Sequence, residues 1–184
     1  MSPSTPPYPP IISCRGFRPE LGAACFVAPN ATLIGDVVLG DGCSLWFNSV
    51  VRGDVNRIRI GHETNVQDGA IIHCTYQTAE TTIGNRVSIG HGAIVHGCTL
   101  QDDVLIGMGA KLLDHCHVEP FVLVAAGALV PPGVRLTSGY LYAGVPAKQR
   151  RPLTQAEREL IVRTAKNYQL YASWYTDAGS SSAI

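Results

Sequence analysis

Charge is scarce in this chain of 184 residues. Only 15% of them are Asp, Glu, Lys or Arg, and 14 basic residues balance 14 acidic ones. A net charge of zero leaves no electrostatic footprint for nucleic acid or an anionic membrane surface. Aromatic residues are also few, at 7%. No run approaches the roughly 20 apolar residues that a helix needs to cross a bilayer. The opening Met1–Pro10 lacks the basic and apolar regions of a secretory signal and reads as an extended, Pro-rich arm. The six cysteines, at 14, 25, 43, 74, 98 and 116, contain no CxxC pair. Reduced, mostly buried thiols in a cytoplasmic protein are the expectation. Cys74, beside His73, has the chemistry of a soft ligand, but its place in the pattern reads as a small apolar filler.

What the chain does have is glycine, 19 residues of it, and 46% apolar residues arranged with a period. An aliphatic residue recurs every six positions at Val27, Leu33, Leu39, Leu45 and Val51. After a three-residue insertion come Ile60, Val66 and Ile72. A longer insertion, Cys74 to Thr82, leads to Ile83, Ile89 and Val95. One shortened step then gives Leu100, Ile106, Leu112, Val118, Val124 and Val130. Glycine follows the anchor at 40, 61, 84, 90 and 107. A six-residue period marks a parallel β-helix: each hexapeptide is a short strand and a turn, and three close one triangular coil. One coil cannot bury its own aliphatic row; stacked coils can.

The expected architecture is mainly β. A Pro-rich arm (1–14) precedes a parallel β-helix (15–148). Gly139–Lys148 leaves the repeat, and Thr154-Gln-Ala-Glu157 is a capping box. Leu160, Ile161, Ala165, Tyr168, Ala172 and Tyr175 then recur at helical spacing. The segment 149–176 should therefore carry an amphipathic helix packed along the β-helix, followed by a loose tail (177–184).

Grouping the anchors in threes stacks Val51, Ile72 and Val95 on one face. The next residues, Arg52, His73 and His96, then form a column. His91 follows Ile89 on another face, above Asp68, so one chain does not bring it to the His73–His96 pair. A neighbouring copy in a threefold ring can. Three histidines without an adjacent acidic run point to a metal site, in which a tetrahedral zinc keeps one position for water. His62, His115 and His117 lack such partners and read as surface or turn residues.

Three segments, Val50-Val-Arg-Gly-Asp-Val-Asn-Arg-Ile-Arg-Ile-Gly61, Thr64-Asn-Val-Gln-Asp-Gly-Ala-Ile-Ile-His73 and Ile89-Gly-His-Gly-Ala-Ile-Val-His-Gly-Cys98, resemble the γ-class carbonic anhydrases. So do Leu105–Ala110 and Ala143–Ala147. The resemblance covers roughly residues 15 to 175. It implies a left-handed β-helix and a homotrimer with active sites between subunits. It implies zinc, with iron or cobalt as alternatives, bound by His73 and His96 of one chain and His91 of the next. The implied reaction is reversible hydration of carbon dioxide to bicarbonate by a metal-bound hydroxide. Gln67 would hydrogen-bond that hydroxide and Asp68 would orient groups nearby. Arg52 and Asp54 would form ion pairs that position the site and tie subunits together, and Tyr168 would reach the pocket from the helix. The chain departs from the archetype where an acidic proton shuttle is expected: Val55 follows Asp54, and the insertion after His73 carries only Glu80. Two other readings stand beside this one, a hexapeptide acyltransferase or CoA thioesterase, and a non-catalytic metal-binding assembly subunit.

Overall fold

The computed structural model describes residues 11–177. They form a left-handed parallel β-helix of about seven coils with one C-terminal helix. Each coil contributes one anchor to each of three faces. Leu33, Val51, Ile72, Val95, Leu112 and Val130 pair in register along the first face. Leu39, Ile60, Ile83, Leu100, Val118 and Leu136 do so along the second. Val27, Leu45, Val66, Ile89, Ile106, Val124 and Tyr142 line the third. All but Val27 are buried. Each fully buried Val, Leu or Ile contributes about 1.5–3 kcal/mol, so this inward file is the core.

Two strands, Thr32–Leu39 and Val50–Ile60, run unbroken from the first face onto the second. The three-residue insertion is absorbed there by a register shift: Gly35 pairs with Gly53, and Val37 with Ile58. The second insertion folds on itself through a Thr75–Ala79 bridge. The shortened step, Val95 to Leu100, turns at Gly97 with φ +58°. All three irregularities in the repeat therefore fall at one corner, between the first and second faces.

The other corners keep strict spacing. Between the third and first faces, the amides of Gly69, Gly92, Gly109 and Gly127 donate to the carbonyls of Phe47, Asp68, His91 and Met108, at 2.8–2.9 Å. These glycines all hold φ near +66°. The glycines that follow anchors serve a different need. Gly40 has no unusual φ, but a Cβ there would lie 2.8 Å from the Gly61 carbonyl carbon of the next coil.

The repeat extends past Val130, because Leu136 and then Tyr142 take the inward positions. Leu136 keeps the six-residue spacing after Pro131-Pro132, and only the aromatic anchor Tyr142 falls outside an aliphatic count. Strand pairing also begins inside the segment read as an arm: Ile11–Ile12 pairs with Leu33–Ile34 and covers an edge that would otherwise be open. Residues 1–10 of that arm lie outside the described residues, as do 178–184 of the tail. Lys148–Pro152 turns back antiparallel to Tyr140–Ala143 before the helix Gln155–Asp177 starts.

The capping box forms as read. Glu157 N donates to Thr154 Oγ1 (3.2 Å), and Thr154 N donates to Glu157 Oε2 (2.9 Å). The helix buries Ile161 and Ala165 against the third face, and Tyr168 and Tyr175 meet the Trp46 ring at 5.3 and 5.7 Å. No helix among the described residues is long and apolar enough to cross a membrane.

Two outcomes follow for stability. Gly40→Ala should lower the unfolding free energy by about 1–3 kcal/mol, read from chemical denaturation, because backbone rather than a movable side chain meets the new Cβ. Glu157→Ala should cost about 1 kcal/mol at pH 7 through the lost cap. Hydrogen bonds from Arg151 and the Thr154 amide hold the Glu157 carboxyl down at about 2. A depressed folded pKa stabilises above the ordinary value of 4.5 and stops doing so as pH falls through about 2. The gap in melting temperature between the two proteins should therefore shrink over that window; a gap that stays constant would dissociate the effect from Glu157 ionisation.

Candidate metal centre

The in-register stack sets His96 beside His73 on the first face. Each imidazole is held from behind by a carboxylate. His73 Nε2 lies 3.1 Å from Asp54 Oδ1, and His96 Nδ1 lies 2.6 Å from Asp114 Oδ1. Asp54 in turn accepts from Arg52 Nη1 at 2.7 Å, and Asp114 accepts from the Thr75 hydroxyl at 2.5 Å. The nitrogens left over, His73 Nδ1 and His96 Nε2, face each other at 3.1 Å.

That geometry has a consequence for protons. If both neutral rings keep their protons toward the carboxylates, two lone pairs face each other. A cation between them resolves the conflict. Two nitrogens about 2.0–2.1 Å from one tetrahedral zinc would lie about 3.3 Å apart, close to the separation found. Carboxylate-backed imidazoles are the usual setting of histidine ligands. The pair fits a metal ion.

The charges agree with this. Burial lowers the His73 pKa below its ordinary value, against the opposing hydrogen bond from Asp54, so the ring is neutral near pH 7. Burial pushes the Asp54 and Asp114 carboxyls up, but their hydrogen bonds outweigh it: Arg52 and His73 for Asp54, Thr75 and His96 for Asp114. Both end below the usual carboxylate range.

The remaining candidates gather elsewhere. His91 sits at the corner between the third and first faces, fixed by the glycine ladder. Its Nδ1 is 2.8 Å from Asp68 Oδ2. Its Nε2 is 3.5 Å from the Tyr168 hydroxyl, a long contact. His91, Gln67 and Tyr168 line a cavity of about 290 Å³ with Leu105, Ile106 and Met108. Gln67 Nε2 donates to buried Asn65 Oδ1 (3.0 Å), and Asn65 Nδ2 donates to buried Ser88 Oγ (2.8 Å). One of the two Gln67 amide N–H groups is thereby taken, and its carbonyl oxygen is available as an acceptor. Burial, then the Asp68 and Tyr171 charges, push the Tyr168 phenol up to about 12.

The eight candidate residues thus divide evenly: Arg52, Asp54, His73 and His96 on one face, Gln67, Asp68, His91 and Tyr168 at another. Among the described residues, no cluster of three or more His, Cys, Asp or Glu forms a cage within one chain. Cys74 is buried and donates to the Arg57 carbonyl, as a filler does. His62 lies beside exposed Asp41, and His115 occupies a turn with φ +61°. His117 departs from the surface reading in that its Nε2 is buried without a hydrogen-bond partner. Sequence reasoning missed Asp114 and Thr75. The signal was available for Asp114, because it follows Leu112 by two, as Gly97 follows Val95 in the coil before.

Comparison with known proteins adds the family. The model for bacterial transferase hexapeptide (six repeats) matches residues 18–53. Gamma carbonic anhydrase 2, mitochondrial, of Arabidopsis thaliana is 46% identical over 157 residues, which are 80% of this chain and 56% of that protein. Protein YrdA of Escherichia coli K12 is 41% identical over 172 residues, 90% of this chain and 94% of YrdA. The chain belongs to the γ carbonic anhydrase-like hexapeptide-repeat family. It spans little more than half the length of the Arabidopsis member. A crystal structure of a hexapeptide transferase family protein from Anaplasma phagocytophilum superposes with a TM-score of 0.86 at 38% identity, covering 90% of this chain and 97% of that one. The chain is thus similar both to a relative named as an anhydrase and to a solved structure titled as a hexapeptide transferase family protein.

The Tyr168 environment is directly measurable. The ultraviolet difference between wild type and Tyr168→Phe should stay flat through pH 10 and show phenolate only toward about 12. A phenolate signal at pH 10 would place the hydroxyl in water.

Proposed function

We propose that this protein hydrates carbon dioxide reversibly at metal centres shared between subunits of a homotrimer. The observation that carries this reading is the facing pair His73 Nδ1 and His96 Nε2, 3.1 Å apart with both outer nitrogens on carboxylates. Two ligands point at one place, and the third histidine of the pattern is on another face of the same chain. A heterologous interface that closes at threefold symmetry brings His91 of a neighbouring copy to the pair. Exposed apolar side chains border both halves: Ile71 at 41% and Met108 at 61%.

His73, His96 and the neighbouring copy's His91 would hold zinc, with iron or cobalt as alternatives. Such an ion, held by neutral imidazoles, lowers the pKa of a water molecule to about 7; carbonic anhydrase is the standard example. This chain's own residues do the rest. Asp54 and Asp114, each against one ring nitrogen, orient the two rings so that the other nitrogens face inward. Asp68, 2.8 Å from His91 Nδ1, orients that ring in the same way. Gln67, one amide N–H held by Asn65, offers a carbonyl oxygen that would accept a hydrogen bond from the reacting water and fix its orientation. Leu105 would give carbon dioxide an apolar wall. Tyr168, a phenol across the working pH range, closes that wall as a hydrogen-bond donor rather than a base.

One observation favours a second reading, a metal-bearing assembly subunit with little turnover. Glu80, the only acid of the insertion beside His73, is paired with Arg57 at 2.5 Å. An acid held in an ion pair is a poor proton shuttle.

Metal content of protein purified without chelator should be about one ion per chain, and His91→Ala and His96→Ala should each lose it while remaining folded. Mixing the two variants after dissociation tests the shared site. Random threefold rings would restore about a quarter of the sites, because one variant brings the His73–His96 pair and the other brings His91. Full metal retention by His91→Ala, or no recovery on mixing, would exclude a site shared between chains.

A further inference from the structure

We propose that Asp114, held by Thr75, is a positioning residue that sets the His96 ring for the metal; the inference rests on the metal-centre reading above. Nothing in the repeat requires an acid at this corner. The positions around it are occupied by a turn, and a solvent-facing carboxylate there would lose nothing. Instead the Asp114 carboxylate turns back onto the first face. One oxygen accepts from His96 Nδ1 at 2.6 Å, and the other accepts from the Thr75 hydroxyl at 2.5 Å. Both oxygens are committed, so the carboxylate has no freedom to rotate and the imidazole plane is set with it.

The backbone makes room for this arrangement. The residue after His96 is Gly97, in a left-handed conformation with φ +58°. A Cβ at that position would run into Asp114 Oδ1 itself. The glycine leaves empty the volume that the carboxylate occupies.

Thr75 belongs to the insertion after His73, and the same insertion grips the pair a second time. Thr81 Oγ1 donates to the His73 carbonyl at 2.7 Å and accepts from Gly97 N at 3.0 Å. The insertion is thus a clamp: one threonine acts through Asp114 on the His96 ring, and the other ties the backbones of the two histidines together. Its lack of free acids agrees with a holding role.

The test is cobalt(II) binding to metal-free protein, by competition with a chelator and by the visible spectrum of the bound ion. Asp114→Ala should weaken binding about 10- to 100-fold and change the spectrum, with a melting temperature near that of the metal-free wild type. Asp114→Asn should recover most of the affinity and the wild-type spectrum, because its amide oxygen still accepts from His96 and its amide nitrogen donates to Thr75. Thr75→Val should shift affinity in the same direction as Asp114→Ala, by less. It carries the test if Asp114→Ala does not fold. Wild-type affinity and spectrum in the folded Asp114→Ala or Thr75→Val protein would overturn the positioning role while leaving the metal centre intact. A wild-type protein that takes up no cobalt would instead overturn the metal centre, and the positioning role with it.

Discussion

Everything in this molecule depends on parallel backbone pairing between successive coils. The pairing runs at one strand spacing, about 4.8 Å, and never slips on two of the three corners. It buries the aliphatic file, and it also turns position along the chain into position in a column. His73 and His96 are 23 residues apart and touch because the ladder pairs them. Asp68 and His91 meet for the same reason. Residues that a linear reading separates by a full coil are immediate neighbours, and the chemistry of the surface is written in these columns.

That is why so much was legible. A period of six, with Val, Leu or Ile at each anchor, admits one way to bury the row, and the three-column alignment that follows puts the histidines on their faces without any coordinates. The legibility ends where position is set by something other than the period. Tyr142 continues the core as an aromatic and was invisible to an aliphatic pattern. Ile11–Ile12 joins the sheet by covering an edge, which no local signal announces. Asp114 and Thr75 come together because an insertion folds back across a corner, and an insertion has no register to extrapolate. The identity of His73 and His96 as neighbours was thus readable, and so was Asp54 behind His73; the Thr75–Asp114 pair behind His96 was not.

The division of the candidate residues between two faces has a physical cause. A flat strand shows each outward side chain to one direction only, and the faces of a triangular coil diverge. A single chain therefore completes its hydrophobic core without completing its candidate site. On the function proposed above, folding and site formation are separate events, the first driven by burial within the chain and the second by contact between copies. Relatives with quite different names resemble this one chain, because the inward anchors that make the backbone ask nothing of the site.

The three irregular steps of the repeat all occur at the corner between the first and second faces. The solenoid behaves there like a spiral binding with one open margin: material can be added or removed coil by coil, and the pages stay aligned. Two insertions of different length and one deletion coexist on consecutive coils without disturbing the ladder on either side. This margin runs directly alongside the histidine column. The part of the fold freest to vary in length is also the part closest to the chemistry, so new loops can be tried against the same pair of histidines without first solving the folding problem again.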